Sequence, residues 1–165
     1  MVRCEESKIV FRFDIASEVH THDPNCHCDG TYFRDDNSLW PGVDFRLLDG
    51  AGWLWLEVKN WRISKRNAYA RKMKDEAFAI EMREKFLGTA AFLASRKDPN
   101  ALPRPLTLVF LFQPPYGADP GLRGIGYELI RNKIHNALTP LNISFAVVDV
   151  EIWNRKFPDY PANAL

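Results

Sequence analysis

Hydrophobic and polar positions alternate most cleanly across residues 41–61, PGVDFRLLDGAGWLWLEVKNW. The segments VDFRLL and WLWLEVKNW flank a turn-rich DGAG, and tryptophan and valine have high strand propensity, so the pattern predicts a β-hairpin. With Asp49 to Gly52 as the connection, Leu48 faces Trp53, Arg46 faces Trp55 and Asp44 faces Glu57. A strand period of two then groups Glu57 and Lys59 with Trp53, Trp55 and Trp61, and sends Leu54, Leu56 and Val58 to the other face. The tryptophans are read as core beneath a following helix, with stacking on nucleic-acid bases as the alternative.

Downstream the period lengthens. From Ser64, an N-cap candidate, to about Ser95, apolar residues fall at Tyr69, Met73, Ala77, Ile80, Leu87 and Ala91. A second row at Phe78, Met82, Phe86 and Leu93 gives a broad buried face on a long helix. After a proline-rich linker, DPNALPRP, the continuous run from Leu106 to Phe112 suits a strand buried on both faces. Leu122, Ile125, Leu129, Ile130 and Ile134 mark a second helix over 121–138, with Arg123, Arg131, Lys133 and His135 on its wetter side and Pro140 as the stop. ISFAVVDV at 143–150 reads as a further strand, and 151–165 as a tail covering an edge. KIVFRFDIASEV at 8–19 begins with strand-like alternation and ends with helical spacing, which leaves that element open. The order β, β, long α, β, α, β predicts an α/β fold with three layers, α/β/α, around a mixed sheet, because each right-handed crossover lays its helix on a face.

At 165 residues the chain is expected to form one domain, with residues 1–40 as an N-terminal element and loop, 41–150 as the core and 151–165 as the tail. A hydrophobic fraction of 46% argues against disorder. The net charge of +1 supplies no global field, so a nucleic-acid partner requires a local basic surface. Three cysteines, two of them in Cys26-His27-Cys28, do not suit a secreted disulfide scaffold, and MVRCEESK lacks an apolar signal core. No apolar run approaches the ~18 residues that a bilayer span needs. These features predict a soluble, cytoplasmic protein without a membrane partner.

The candidate chemistry lies in the hairpin. Opposed side chains in an antiparallel pair have Cβ atoms about 5 Å apart, so Asp44 and Glu57 repel each other unless a cation lies between them. Lys59, on the same face as Glu57, brings an ammonium to that spot. Asp44 followed by Glu57-Val58-Lys59 resembles the PD-(D/E)xK nuclease superfamily, with the proline of the usual Pro-Asp pair standing earlier, at Pro41. The resemblance covers the hairpin and, more loosely, the chain to about Val150. It implies a restriction-endonuclease-like core and metal-dependent phosphodiester hydrolysis. Asp44, Glu57 and the Val58 carbonyl would hold Mg²⁺, for which Mn²⁺ can substitute, while Lys59 orients or helps deprotonate the attacking water. Family members commonly carry a further acidic residue ahead of the hairpin; Glu18 is the candidate, against the alternative of a solvated surface glutamate.

Arg62, Lys65, Arg66, Arg71, Lys72 and Lys74 follow Lys59 without an intervening anion up to Lys74. They are read as a phosphate-backbone track for nucleic acid, DNA before RNA, against an ordinary solvated face. In HTHDPNCHCD, His20, His22, Cys26 and Cys28 could supply a tetrahedral zinc, although the spacing is not a C-x2-C knuckle. The other reading is a polar loop at the active-site mouth. The leading expectation is therefore an Mg²⁺-dependent endonuclease; a homodimer, which enzymes making double-strand cuts often need, is left open. The rival is an inactive nucleic-acid-binding or structural module of the same fold, stabilised by zinc in one version.

Overall fold

A computed structural model describes residues 1–23, 25–35, 41–61, 76–96, 106–113, 120–139 and 145–165, with backbone alone for 120–127. The strands are β1 (Arg3–Glu6), β2 (Ile9–Arg12), β3 (Glu18–Thr21), β4 (His27–Asp29), β5 (Phe33–Arg34), β6 (Phe45–Asp49) and β7 (Gly52–Asn60). Helix α1 (Ala77–Ser95), β8 (Leu106–Gln113), α2 (Pro120–Leu138), β9 (Phe145–Val148), α3 (Val150–Lys156) and β10 (Ala162–Ala164) follow. The proposed helix start at Ser64, the six cations between Arg62 and Lys74 and the proline-rich linker lie outside the described residues.

The hairpin forms in the expected register. Arg46 faces Trp55, Leu47 faces Leu54 and Leu48 faces Trp53. The connection is tighter than a four-residue loop, because Asp49 and Gly52 themselves pair. Asp49 Oδ1 accepts hydrogen bonds from the Ala51 and Gly52 amides at 2.7 and 3.1 Å. Gly52 closes the turn at φ +122°, a conformation that a side chain would strain.

Six strands in the order β5-β3-β6-β7-β8-β9 make the main sheet. The β3-β6 and β6-β7 pairs are antiparallel, whereas β7-β8 and β8-β9 are parallel. A mixed α/β fold with a mixed sheet is thus the observed class. The layering differs from α/β/α. Helices α1 and α2 both cover one face, where Trp53, Trp55, Trp61, Leu108, Phe110 and Phe112 meet Phe78, Met82, Phe86, Ile130 and Ile134. The other face, with Leu54, Leu56, Val58, Val109 and Leu111, packs on Cys4, Ile9, Phe11, Trp153 and Ala162. That second layer is a four-stranded antiparallel sheet, β10-β2-β1-β4, together with α3. The physical reason is direction: β7, β8 and β9 step the same way across the sheet, so crossovers of one hand place both helices on one side. The tryptophans are accordingly core, with Trp55 fully buried.

At the start of the chain the strand reading holds for Ile9–Arg12, and the helical spacing beyond it yields to a bend and then β3. At the other end the expected strand stops at Val148. Asp149 caps α3 through a 2.7 Å bond from the Ile152 amide, so Val150 begins a helix. The tail does cover an edge: β10 pairs with β2.

Candidate active site

The end of the main sheet where β6 begins and β7 finishes gathers the ionisable side chains. Asp44 immediately precedes β6, and its Oδ2 accepts a 2.7 Å hydrogen bond from the Val58 amide. That bond crosses the hairpin beside the position that register assigns to Asp44 and Glu57. Val58 itself turns its side chain into the opposite core. Alternation returns Glu57 and Lys59 to the α1 face, and Lys59 Nζ lies 2.9 Å from Glu57 Oε1. The structure therefore brings Asp44, Glu57 and Lys59 together.

Helix α1 adds groups that the sequence pattern did not single out. Lys85 Nζ stands 2.6 Å from Glu57 Oε1 and 3.3 Å from Asp44 Oδ1. Glu81, one turn earlier, reaches Lys59 Nζ at 3.1 Å. The helix is seated by close contacts on the same side: the Val43 amide donates to Thr89 Oγ1 at 2.9 Å, and Gly88 lies so near Pro41 that a Cβ there would sit 1.9 Å from the Pro41 carbonyl oxygen. From the second layer, the tip of the β1–β2 hairpin approaches β7, with Asn60 Nδ2 donating to the Ser7 carbonyl at 2.9 Å. This tip carries Glu6. Burial first, and then the Asp44 charge, push the Glu6 carboxyl up to about 7.

The electrostatics of the trio follow from who keeps water. The Glu57 side chain is fully buried, and that desolvation, reinforced by Asp44, raises its pKa against the pull of Lys85 and Lys59. For Lys59 and Lys85, burial alone would lower the pKa, but the Glu57 and Asp44 charges outweigh it and hold both ammoniums protonated. The two sides of the pairs thus read oppositely, one carboxylate disfavoured and two ammoniums favoured. The lysines retain some solvent access, whereas Glu57 has none. A metal-free Lys59 is consequently an acid and a charge donor rather than a base.

Glu57 Oε2 is buried without a hydrogen-bond partner among the described residues. An orphaned carboxylate oxygen is costly in a protein interior and wants a cation or a donor. With Asp44 it offers carboxylate oxygens of the kind that a hard divalent ion of the Mg²⁺ type takes while keeping several waters.

Other candidates fall elsewhere. Glu18 lies opposite Leu48, at the turn end of the hairpin, four residues along β6 from Asp44, and its carboxylate contacts His20 Nε2 at 3.1 Å. At about 3.4 Å per residue this separates it from the cluster by more than 10 Å. The acidic group from an earlier element that does approach Asp44 is Glu6. The zinc set does not assemble either. His20 sits among Glu18, Asp35 and Arg46, and the His22 ring packs on Phe92 and against Gly42. Cys28 is joined to Cys4 in a disulfide, because β1 and β4 place the two directly opposite each other. Cys26 is buried with its Sγ 3.5 Å from that of Cys28, and burial pushes its thiol up to about 12. The three sulfurs form a group of their own, apart from the histidines.

One signal for Lys85 was present in the sequence. Within the apolar rows of α1 it stands between Met82 and Phe86, so a charge sits on a face that otherwise packs, four residues after Glu81. Glu6 carries no comparable signal.

Comparison with protein-family models, with characterised proteins and with solved structures finds no match to this chain. Among the described residues no helix is long and apolar enough to cross a membrane.

Proposed function

We propose that the protein is a metal-dependent nuclease that hydrolyses phosphodiester bonds in nucleic acid, as a DNA endonuclease with a restriction-endonuclease-like core. The observation that carries this reading is the meeting of Asp44, Glu57 and Lys59 at one end of the sheet, with the buried Glu57 Oε2 unpartnered among the described residues. Asp44 and Glu57 would hold the cation, with Glu6 near enough to contribute charge at the rim. Bound there, Mg²⁺ supplies charge stabilisation at the scissile phosphate and an acidified water. Lys59 donates to the phosphate oxygen that gains charge, which a protonated ammonium held by Glu57 can do without prior proton loss. Glu81 fixes the direction in which that ammonium points. The location suits an extended substrate, since ligands of such sheets bind outside the carboxyl ends of the strands, and β7 and β8 finish beside Lys59.

A second reading is an inactive module of the same fold, and the close pairing of Lys85 with both acidic residues favours it. Incubation with supercoiled, linear, single-stranded and branched DNA and with RNA, in Mg²⁺, Mn²⁺ or EDTA, decides between the two. The nuclease reading expects cleavage that requires the metal and vanishes in Asp44→Asn. Absence of cleavage on every substrate, with nucleic-acid binding retained, selects the inactive module.

A further inference from the structure

Lys85 occupies the place that a divalent cation would need. Asp44 has two carboxylate oxygens, and Oδ2 is already taken by the Val58 amide at 2.7 Å. The remaining oxygen, Oδ1, is the one that Lys85 Nζ holds at 3.3 Å, while the same Nζ lies 2.6 Å from Glu57 Oε1. An ion coordinated at the usual ~2.1 Å from Asp44 Oδ1 and a Glu57 oxygen would stand within a few ångströms of that ammonium. Two cations at such a distance repel strongly in a site with little water. Lys59 does not conflict in the same way, because its contacts are Glu57 Oε1 and Glu81 rather than Asp44.

We propose that Lys85 is a built-in counter-ion that competes with the divalent metal for Asp44 and Glu57, so that metal binding requires the Lys85 ammonium to withdraw. The proposal rests on the nuclease reading and adds a control on its metal site. In the metal-free protein Lys85 offsets the repulsion between the two carboxylates and keeps the site assembled. Its flexible stem lets it leave without moving α1, which Gly88 and Thr89 hold against Pro41 and Val43. Glu81 stands one turn back on the same helix, in the Glu-to-Lys order that favours an i,i+4 pair, and provides a carboxylate to which the released ammonium can turn. Metal entry therefore exchanges one cation for another, and the affinity is set by the difference between them. Lys85 is a positioning residue in this scheme and touches no reacting atom.

The test is calorimetric titration of the full chain with Mn²⁺, without nucleic acid, so that no turnover is involved. Lys85→Met keeps most of the side-chain volume and removes the charge; it should bind Mn²⁺ roughly tenfold more tightly than wild type or better. Lys85→Arg retains the charge and should not tighten binding, and Asp44→Asn should abolish it. A purely structural lysine predicts the opposite sign, because its loss would loosen the site and weaken the metal. Equal or weaker Mn²⁺ binding by Lys85→Met, with Asp44→Asn still abolishing it, overturns the competition and leaves the nuclease reading standing. No Mn²⁺ binding by wild type or Lys85→Met overturns both. If Lys85→Met does not fold, as judged by circular dichroism, Lys85→Gln carries the same comparison, since it drops the charge and keeps a hydrogen-bond donor.

Discussion

Asp44 Oδ2 accepts the Val58 amide hydrogen at 2.7 Å, so one carboxylate oxygen serves the hairpin and the other faces the cluster. The two jobs are separable by substitution. Asp44→Ala leaves a buried amide without an acceptor and is expected to cost about 1–3 kcal/mol in thermal or denaturant unfolding, together with metal-dependent cleavage. Asp44→Asn keeps an oxygen for Val58 and should lose the cleavage with much less of the stability. Glu57→Ala and Lys59→Ala should each lower cleavage by at least ~100-fold, and the double variant should be little worse than either, because groups acting as one unit do not add. Near-wild-type cleavage by Lys59→Ala would remove it from the chemistry.

Gly88 sits in the middle of α1, where alanine would ordinarily favour the helix by about 1 kcal/mol. Here the added methyl would lie 1.9 Å from the Pro41 carbonyl oxygen, so backbone must move. Gly88→Ala is expected to destabilise by about 1–3 kcal/mol, since α1 could no longer seat against Pro41. Gly50→Ala, with nothing among the described residues within 4 Å of the new Cβ, should stay within about 0.5 kcal/mol of wild type. Equal stability of the two variants would show that the helix is not seated through Gly88.

Asp35 pairs with the buried Arg46 guanidinium, at 2.9 Å from Nη2 and 3.0 Å from Nε, with the His20 ring close by. Burial alone would raise the Asp35 pKa, but His20 and Arg46 outweigh it and hold it below the ordinary value of 3.8. A depressed carboxyl stabilises the fold above its unfolded pKa, and that contribution is lost as pH falls through the folded value. Asp35→Ala should therefore cost about 3–5 kcal/mol at pH 7, because it strands a buried Arg46, and the gap to wild type should narrow below about pH 4. A gap independent of pH down to acid unfolding would mean that Asp35 contributes by shape alone.

The cations from Arg62 to Lys74 follow directly after the strand that bears Lys59. As a phosphate track they should give duplex-DNA binding a steep salt dependence. Lys65→Glu combined with Arg66→Glu is expected to flatten the slope of log K against log salt by roughly one to two units. Cleavage should then fall through binding and recover at saturating substrate. An unchanged slope, measured by fluorescence anisotropy over a salt series, would send the nucleic acid to another face, such as that of Arg131 and Lys133.

Alternation and turn chemistry were enough to determine which residues of the hairpin face each other. Arg46 meets Trp55, and Glu57 and Lys59 share a face, because a two-residue period and a short connection leave no other register that buries the leucines on one side and the tryptophans on the other. The same local rule marked β8 as a buried strand and Ser95 as the end of α1. What lay beyond it were meetings between segments distant in the chain. Lys85 reaches Asp44 because Gly88 lets α1 press against Pro41. Glu6 comes within electrostatic reach of Asp44 because the β1–β2 hairpin folds under β7, and Cys4 finds Cys28 because β1 and β4 are neighbours. Glu18 is the extra acid by the family resemblance, and His20 and His22 join the cysteines by sequence proximity alone; neither basis says which element each meets. Periodicity says which way a side chain points from its own element; which element it then meets is decided by packing over the whole core, and that packing assembled the charges around Glu57.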